Sequence, residues 1–394
     1  MSEAPGSRPL RVLVAQNVPH DRRGGMTRML GFIHDRVAAD GHTVDYFAAE
    51  QLPSSWTGRR ARLAVPLLAW RHARRAAQAG RPYDVINIHE PSAWAIARWR
   101  DALGNPVVAV TTHGVEERGW ASICEDDRLG RESLRWRSRI AYPLTVVWPS
   151  RAALRRADHV FCLNEDDRRF LLDRYRYPEG RVTRMFPAAD PAYLAAYSCR
   201  DYAAPPSRLL WFGTWLVRKG TPDIVAAFTA LAGRFPELTL AVMGAGFPEE
   251  VVLGAFPEPL RSRVEYIAHV PGEASAAHAA HMLRASVYVL PSVFEGTPLT
   301  LLETMATGLT PIATAVCGMK DVVRDGENGL LVPPRDASRL AAAIARILTD
   351  RALRERLGRQ AHADVAARYT WDRVSEPVRD VYRAFADRRA GVRA

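Results

Sequence analysis

The chain carries two successive series of short, uniformly apolar runs, and segments of helical character separate the runs within each series. The runs of the first series lie at 11–16, 43–48, 84–89, 106–112 and 160–163, and those of the second at 209–212, 238–243, 264–267, 287–290 and 311–314. Runs that are apolar throughout are typical of strands buried on both faces of a parallel sheet. The pattern therefore predicts an α/β fold with two Rossmann-like, doubly wound domains.

A proline-rich stretch at 187–207 separates the two series, and we interpret it as a linker. We predict an N-terminal domain over 1–203, a C-terminal domain over 204–372, and a helix over 373–394 that returns toward the first domain. The length of 394 residues is about twice that of a typical domain. Ligands of doubly wound folds bind beyond the carboxyl ends of the strands, so we expect the domains to face one another across a cleft.

The formal net charge is +11, and nearly all of the positive charge comes from arginine. Lys219 and Lys320 are the only two lysines. A coding bias explains this composition, and in a chain that avoids lysine each remaining lysine is a better candidate for a specific role. Basic chains can bind nucleic acid, but zinc-finger spacing and aromatic RNA-binding motifs are both missing, so nucleic acid is disfavoured as a partner.

The cysteine spacing and the lack of long apolar segments indicate the cellular compartment. The four cysteines are scattered and form no Cys-x-x-Cys pair, which argues against structural zinc and agrees with a reducing compartment. No apolar run approaches the roughly 20 residues that span a bilayer, and residues 1–10 contain no hydrophobic signal region. We therefore expect a cytoplasmic protein.

The segment from Pro291 to Gly308 is the most informative part of the chain. It follows a predicted strand and is expected to start a helix, with Thr297 as N-cap and Pro298 as the first helical residue. The amides of Leu299 and Thr300 would then be able to hold an anion such as a diphosphate.

The same segment contains Glu295 and Glu303, with seven residues between them. A well-capped helix with two solvated glutamates would explain this spacing. The Glu-Gly-x-x-Leu context after Pro-Ser, however, resembles the motif of retaining GT-B glycosyltransferases, particularly family 4, also called group 1. In that family the first glutamate faces the donor sugar, and the second holds the ribose, whose hydroxyl pair a carboxylate accepts well.

Other stretches of the second half resemble the same family. A Trp-Phe-Gly-Thr run that ends at Thr214, followed by Arg218, Lys219 and Gly220, is similar to its Gly-Arg…Lys-Gly phosphate motif. Thr214 stands where arginine is usual, and Arg218 is our candidate for supplying the missing charge. Gly244 lies in a glycine turn similar to the one beside the nucleotide, although an ordinary strand-to-helix turn explains it equally well.

The first half resembles the family more loosely. Gly24 and Gly25 match a glycine pair that approaches the donor diphosphate, and a plain tight turn is the alternative. His113 matches a histidine near the donor sugar; a lone histidine is otherwise a surface or core residue. Two departures are Asn164, where serine is usual, and Pro-Ala-Ala-Asp ending at Asp190, where Asn-Gly-Val-Asp is typical.

The resemblance implies a retaining transferase that moves a hexose-type sugar to a glycan, glycolipid or small-molecule acceptor. A UDP-sugar is the favoured donor, and GDP-mannose is the alternative. The implied catalytic residues are Glu295, His113 and Lys219. The implied donor-binding residues are Gly25, Thr214, Arg218, Lys219, Gly244, Leu299, Thr300 and Glu303.

The implied chemistry involves neither a cofactor nor a metal, since no Asp-x-Asp motif and no metal-ligand spacing occur. Lys219 and the helix start would stabilise the diphosphate leaving group, where electrostatic terms are usually large. In the retaining scheme the donor phosphate takes the acceptor proton, and Glu295 orients the sugar without acting as a nucleophile.

An arginine-rich arm between Arg59 and Arg81 interleaves bases with apolar residues, and Trp56 precedes it. Such a segment could contact an anionic membrane peripherally, on its inner face, which would suit a lipid-linked acceptor. A solvated helix whose long side chains cover apolar surface is the alternative.

Two rival classes share the predicted fold. One is another GT-B enzyme, such as a sugar-nucleotide epimerase or a glycoside phosphorylase. The other is a non-catalytic subunit, which would be expected to lose Glu295, Lys219 or His113. A dinucleotide dehydrogenase is disfavoured, because no Gly-x-Gly-x-x-Gly follows an early strand.

Overall fold

The computed structural model describes residues 8–16, 18, 24–52, 58–268, 275–389 and 391. The chain divides into two compact units. The first consists of Met1–Ala121, Leu134–Met185 and Val374–Ala394, and the second of Ser122–Ser133 and Phe186–Arg373. Within the described ranges, each unit contains one six-stranded sheet in which all strand pairs are parallel.

The sheet of the first unit has the strand order β2-β1-β3-β4-β5-β6. Its strands are β1 (Arg11–Ala15), β2 (Thr43–Phe47), β3 (Val85–His89), β4 (Val107–Thr111), β5 (His159–Cys162) and β6 (Val182–Arg184). In this order the direction of winding reverses between β1 and β3. The residues that follow these two strands therefore lie at the switch point where doubly wound folds bind ligands.

Helices connect the strands of the first unit. They are α1 (Gly25–Ala39), α2 (Gly58–Gln78), α3 (Trp94–Arg98), α4 (Glu116–Arg128), α5 (Trp136–Tyr142), α6 (Trp148–Leu154) and α7 (Glu165–Tyr175). α4 continues into the part of the chain that groups with the second unit.

The sheet of the second unit has the order β12-β11-β10-β7-β8-β9, so its winding reverses between β7 and β10. The strands are β7 (Arg208–Phe212), β8 (Thr239–Met243), β9 (Val264–Ile267), β10 (Val287–Leu290), β11 (Thr310–Thr314) and β12 (Leu330–Val332). The helices are α8 (Pro191–Ala196), α9 (Thr221–Leu231), α10 (Glu249–Gly254), α11 (Ser275–Arg284), α12 (Leu299–Ala306), α13 (Cys317–Val322), α14 (Ala337–Thr349) and α15 (Arg351–Arg368).

Burial of the strands confirms the predicted fold class. Every residue of β3, β10 and β11 is buried, as expected for runs that are apolar on both faces. The predicted runs fall on strands to within about two residues, and β6 and β12 are additional three-residue strands at sheet edges. Both strands are too short to produce a periodic signal.

The final helix, α16 (Trp371–Arg389), begins in the second unit and continues into the first. Within the first unit, the Tyr382 hydroxyl forms hydrogen bonds with His34 Nε2 at 3.0 Å and with Asn87 Nδ2 at 3.1 Å. Arg379 pairs with Asp40, the C-cap residue of α1. The last helix is therefore part of the first unit's core, although it follows the second unit in sequence.

The proline-rich stretch is not an extended linker, which corrects that interpretation. It contains α8 and groups with the second unit, whose longer segment begins at Phe186 and not at 204. Arg200 donates to the carbonyl oxygens of Thr307 and Ala285 at 2.9 and 2.8 Å, and Tyr202 donates to that of Gly308 at 2.7 Å. These bonds hold the stretch against the second unit.

Asn164, which departs from the family motif, and Asp190, the one residue of Pro-Ala-Ala-Asp that matches it, are both helix caps. The Asn164 side chain accepts from the Asp167 amide at 2.8 Å at the start of α7, a role that serine fills equally well. Asp190 accepts from the Ala192 amide at 2.9 Å and caps α8. Asn164 thus preserves the capping role that serine would fill, and Asp190 keeps a capping side chain at the start of α8.

Candidate functional site

The central feature of the second unit is an ion pair between Lys219 Nζ and Glu295 Oε1. The two side chains are 16% and 10% exposed. Arg218 lies beside the pair, with a guanidinium nitrogen 3.9 Å from Glu295 Oε2. Lys219 follows β7 and Glu295 follows β10, so the charges meet at the switch point of this sheet.

Two tight backbone contacts hold the strand ends together. Gly220, at φ +73°, packs so closely on Pro291 that an added Cβ would overlap its carbonyl oxygen. The Val293 amide donates to the Arg218 carbonyl oxygen at 2.8 Å. Glycine is needed at position 220 both for its left-handed conformation and for this close approach. The loop that carries Lys219 is thereby fixed to the loop that carries Glu295.

Glu295 is ionised although it is buried. Burial raises its pKa, but the charges of Lys219 and Arg218, with hydrogen bonds from Lys219 and Ser292, outweigh burial and lower the pKa overall. Ser292 Oγ donates to Glu295 Oε1 at 3.1 Å. Ser292 was not among the predicted site residues, although it belongs to the Pro-Ser pair that precedes Glu295 in the motif.

The helix after Glu295 begins one residue later than predicted. Pro298 has an extended conformation, with φ −68° and ψ 122°, and occupies the N-cap position, so the assignment of Thr297 as N-cap is wrong. The Pro298 side chain makes no capping bond to α12, because proline offers no capping group. Leu299 and Thr300 are the first two helical residues, as the anion-binding hypothesis requires.

Glu303 lies on α12 and is 2% exposed. It is near enough to Tyr288 for its charge to contribute to the raised pKa of that hydroxyl, whose largest cause is burial. The Tyr288 hydroxyl forms a hydrogen bond with Thr300 Oγ1 at 2.9 Å. Glu303 is therefore a buried residue and not the solvated glutamate of the alternative interpretation.

The remaining predicted residues of the second unit lie on neighbouring turns. Gly244, at φ +67°, follows β8, and an added Cβ would lie 3.0 Å from Phe212. Thr214 is exposed and lies against the same turn, where the Trp215 amide donates to the Ala245 carbonyl oxygen at 2.7 Å. Both residues follow central strands of the sheet, beside the segment that carries Lys219.

In the first unit, Gly24 and Gly25 form the exposed start of α1. Gly24 has φ −84° and ψ 146°, a conformation open to any residue. Gly24 therefore does not need the left-handed conformation of glycine, and close approach of a ligand to the backbone stays the prediction.

His113 follows β4 and faces His89 at the end of β3, with ring centroids 4.6 Å apart. Nε2 of each ring is buried without a hydrogen-bond partner in the described residues. Burial, with the neighbouring histidine, lowers the pKa of His113 well below its usual range, and burial lowers the pKa of His89 to about 4. Both rings are therefore neutral near pH 7.

Glu90 completes this group. It is 3% exposed, and Oε1 accepts from the Glu116 amide at 3.3 Å. Burial, together with the charges of Glu116 and Asp167, raises its pKa well above the usual range. Sequence reasoning missed His89 and Glu90, although their place at the end of a predicted strand was a signal.

The arginine-rich arm is mostly the helix α2. Its Val65 and Ala69 are buried in the first unit's core, and Trp70 packs edge-on against Trp99. Leu63 and Leu67 are exposed. Trp56 and the side chain of Arg59 lie outside the described residues. Much of the apolar character that suggested membrane contact therefore belongs to the core.

In the described residues, no helix has the length and apolar character of a membrane-spanning segment.

Two family profiles match separate halves of the chain. The profile of glycosyltransferase family 4 matches residues 23–193, and that of glycosyl transferases group 1 matches residues 206–350. Among curated proteins, the chain is 26% identical to the phosphatidyl-myo-inositol mannosyltransferase of Mycobacterium leprae over 371 residues, which cover 92% of this chain and 89% of that protein. It is also 29% identical to the glycogen synthase of Mycobacterium tuberculosis over 189 residues, but spans only 45% of that protein's length.

Solved structures share the whole architecture. Sucrose-phosphate synthase of Thermosynechococcus elongatus superposes with a TM-score of 0.74 at 23% identity, covering 95% of this chain and 99% of that one. The Anabaena protein HepE, solved with UDP and glucose, gives a TM-score of 0.66 at 15% identity over 95% and 99%. These likenesses establish the GT-B fold, and with the two profile matches they place the chain in the family 4, or group 1, glycosyltransferases.

Proposed function

We propose that this protein transfers a hexose-type sugar from a nucleotide-sugar donor to a glycan, glycolipid or small-molecule acceptor, with retention of anomeric configuration. The observation that carries the proposal is the group of Lys219, Arg218 and Glu295 at the switch point of the second sheet. Two cations beside a helix start suit a diphosphate, and a carboxylate held among them suits sugar hydroxyls.

Each residue has a distinct role in this proposal. Lys219 and Arg218, with the amides of Leu299 and Thr300, stabilise the negative charge that develops on the departing diphosphate. Glu295 orients the sugar, and Glu303 accepts from the ribose hydroxyls. Gly25, Thr214 and Gly244 let the donor approach the backbone.

The transfer exchanges one bond at the anomeric carbon for another. The acceptor hydroxyl attacks the anomeric carbon from the face that the diphosphate leaves. The bond between that carbon and the diphosphate oxygen breaks, and the acceptor proton moves to the departing phosphate. No side-chain nucleophile is required. Lys219 and Arg218 supply the positive charge, so we propose that the reaction needs no divalent metal.

The polar group of the first unit suits a neutral, polyhydroxylated ligand. Neutral His113 and His89 offer donors and acceptors without net charge, and burial shifts Glu90 toward its uncharged form by raising its pKa. We assign His113 to the sugar, as the family resemblance implies, and place His89 and Glu90 beside it.

The relatives support the choice of donor class only in general terms. HepE was solved with UDP and glucose, which favours a UDP-sugar, while the mannosyltransferase relative keeps GDP-mannose as the alternative. Products distinguish the rival functions. Incubation with a panel of UDP- and GDP-sugars and candidate acceptors should release nucleoside diphosphate and form a glycoside, whose anomeric configuration NMR reports.

Three outcomes would contradict the proposal. A sugar-nucleotide epimerase would convert the donor without releasing nucleotide, a phosphorylase would require orthophosphate, and a non-catalytic subunit would form no product with any donor.

Lys219→Gln should lower turnover roughly a hundredfold or more if its charge stabilises the leaving group. Excess EDTA should leave the wild-type rate unchanged, and loss of activity on chelation would refute metal independence.

A further inference from the structure

The most exposed apolar surface of the first unit lies on one helical segment, and nothing in the proposed reaction uses it. Trp136, Ile140, Leu144 and Trp148 are 68%, 56%, 64% and 60% exposed. Large apolar side chains exposed to this degree, and grouped together, mark surfaces that bind a partner or a membrane. We call these four residues the 136–148 stripe.

The stripe lies along one face because of an irregularity in the helix. α5 and α6 are joined without a break by a π-helical turn, Pro143–Val147. In a regular α-helix a four-residue spacing drifts by about 40° at each step. The π turn takes more residues per turn and reverses part of that drift. Pro143, which has no amide hydrogen, accounts for the irregular turn.

The opposite face of the segment is packed in the protein. Val146, Val147 and Leu154 are buried at 2%, 4% and 0% exposure, and the Tyr142 ring stacks on Trp120 with centroids 4.8 Å apart. Since these residues anchor the helix to its own unit, the stripe is its outward face.

Within the segment and its immediate flanks, every charged residue is an arginine, and the neighbouring glutamates Glu116 and Glu117 of α4 bond to Tyr142 and Arg151. Arg135, Arg137 and Arg139 are exposed at its start, and Arg155 and Arg156 are exposed just beyond its end. No aspartate or glutamate occurs between positions 134 and 157. The flanks would attract an anionic surface, whereas a second copy of this chain would bring the same positive charge against itself.

We infer that the 136–148 stripe seats the protein on an anionic lipid surface. Its tryptophans match the interfacial preference of that side chain, its central isoleucine and leucine reach the acyl boundary, and its arginines meet the headgroups. This goes beyond the proposed transferase function and does not depend on it. It also moves the expected membrane contact from the α2 arm to α5 and α6. Among the described residues of the α2 arm, the large hydrophobic side chains that are exposed are Leu63 and Leu67.

The test is flotation of the full-length protein with vesicles of phosphatidylcholine, pure or mixed with phosphatidylglycerol. The wild type should bind the mixed vesicles at low salt, bind pure phosphatidylcholine weakly, and dissociate as salt rises. W136S/W148S should weaken binding about tenfold or more, because it removes the two large interfacial side chains. R135Q/R137Q/R139Q should also weaken binding and should reduce its dependence on salt.

The matched control is F247S/V251S, which changes two exposed apolar residues of the second unit and should bind like the wild type. All variants alter exposed positions, and circular dichroism checks their folding. No wild-type binding to anionic vesicles, or equal binding by W136S/W148S, would overturn the inference. It would equally be overturned if W136S/W148S converted a wild-type dimer into a monomer while vesicle binding was absent throughout.

Discussion

At the scale of single residues, the Lys219–Glu295 pair determines how the second unit's site responds to change. Both side chains are largely withdrawn from water, so each charge depends on the other. Arg218 is closer to solvent and adds charge at longer range. The same pair that we propose for catalysis therefore also affects the stability of the folded second unit.

Removing one partner should be worse than removing both. Lys219→Gln leaves a buried carboxylate without its cation, a loss that costs about 3 kcal/mol or more in comparable sites. The double variant K219Q/E295Q should be more stable than K219Q alone. Chemical unfolding gives the free energy of unfolding of the wild type, K219Q and K219Q/E295Q. Lys320→Gln, which changes the exposed second lysine, is the control. A double variant less stable than K219Q would contradict the pairing.

Acid should weaken the same interaction. The folded-state pKa of Glu295 lies below its ordinary value of 4.5, so the carboxylate contributes stability above about pH 4.5, and this is lost as pH falls through the folded-state pKa. The difference in unfolding free energy between wild type and Glu295→Gln should therefore shrink between about pH 5 and pH 3. Urea titrations across this range measure it, and a difference that grows toward low pH would refute the assignment.

At the scale of elements, the loop after β7 and the loop after β10 are joined where Gly220 packs on Pro291. The sequence predicts some features of these loops and not others. The apolar pattern predicts the strand ends, whereas the Lys-Gly pair and the glutamates are site residues only through the resemblance to family 4. The N-cap was missed, because Thr297 and Pro298 both favour helix starts and only the backbone of residue 298 decides between them. The contact between Gly220 and Pro291 joins residues 71 positions apart, and no local propensity encodes it.

Gly220→Ala should be more damaging than an equivalent change at Gly326. The two glycines have φ of +73° and +72°, but an added Cβ at 220 overlaps the Pro291 backbone, while at 326 it meets nothing within 4 Å. Gly326→Ala should cost about 1–2 kcal/mol from the left-handed conformation alone. Gly220→Ala should exceed that and should also weaken nucleotide binding. Equal unfolding free energies for the two variants would contradict the close approach.

At the scale of the whole molecule, chain order and spatial grouping differ. The last helix belongs to the first unit, and residues 186–203 belong to the second. Two doubly wound units were predictable, because each strand run is locally apolar. The strand orders were not predictable, because parallel pairing joins residues far apart in sequence. The switch points beside which Lys219 and His89 lie depend on those orders and were therefore not predictable either.

Tyr382→Ala should destabilise the first unit from a position near the end of the chain. The change removes a buried ring and its hydrogen bonds with His34 and Asn87, at a cost of about 3–5 kcal/mol. Hydrogen–deuterium exchange should show faster exchange in β1 and β3, with less change in β7 and β8. Asp387→Ala, at an exposed position of the same helix, is the control. Faster exchange confined to the second unit would contradict the grouping.

The central claim is that the second unit binds a nucleotide-sugar donor through Lys219 and Glu303. Isothermal titration of UDP and GDP into the folded wild type, K219Q, E303Q and K320Q tests it most directly. We predict that the wild type binds one of these nucleotides, that K219Q and E303Q each bind about tenfold or more weakly, and that K320Q matches the wild type. Failure of the folded wild type to bind either nucleotide, or binding by K219Q and E303Q with wild-type affinity, would contradict it.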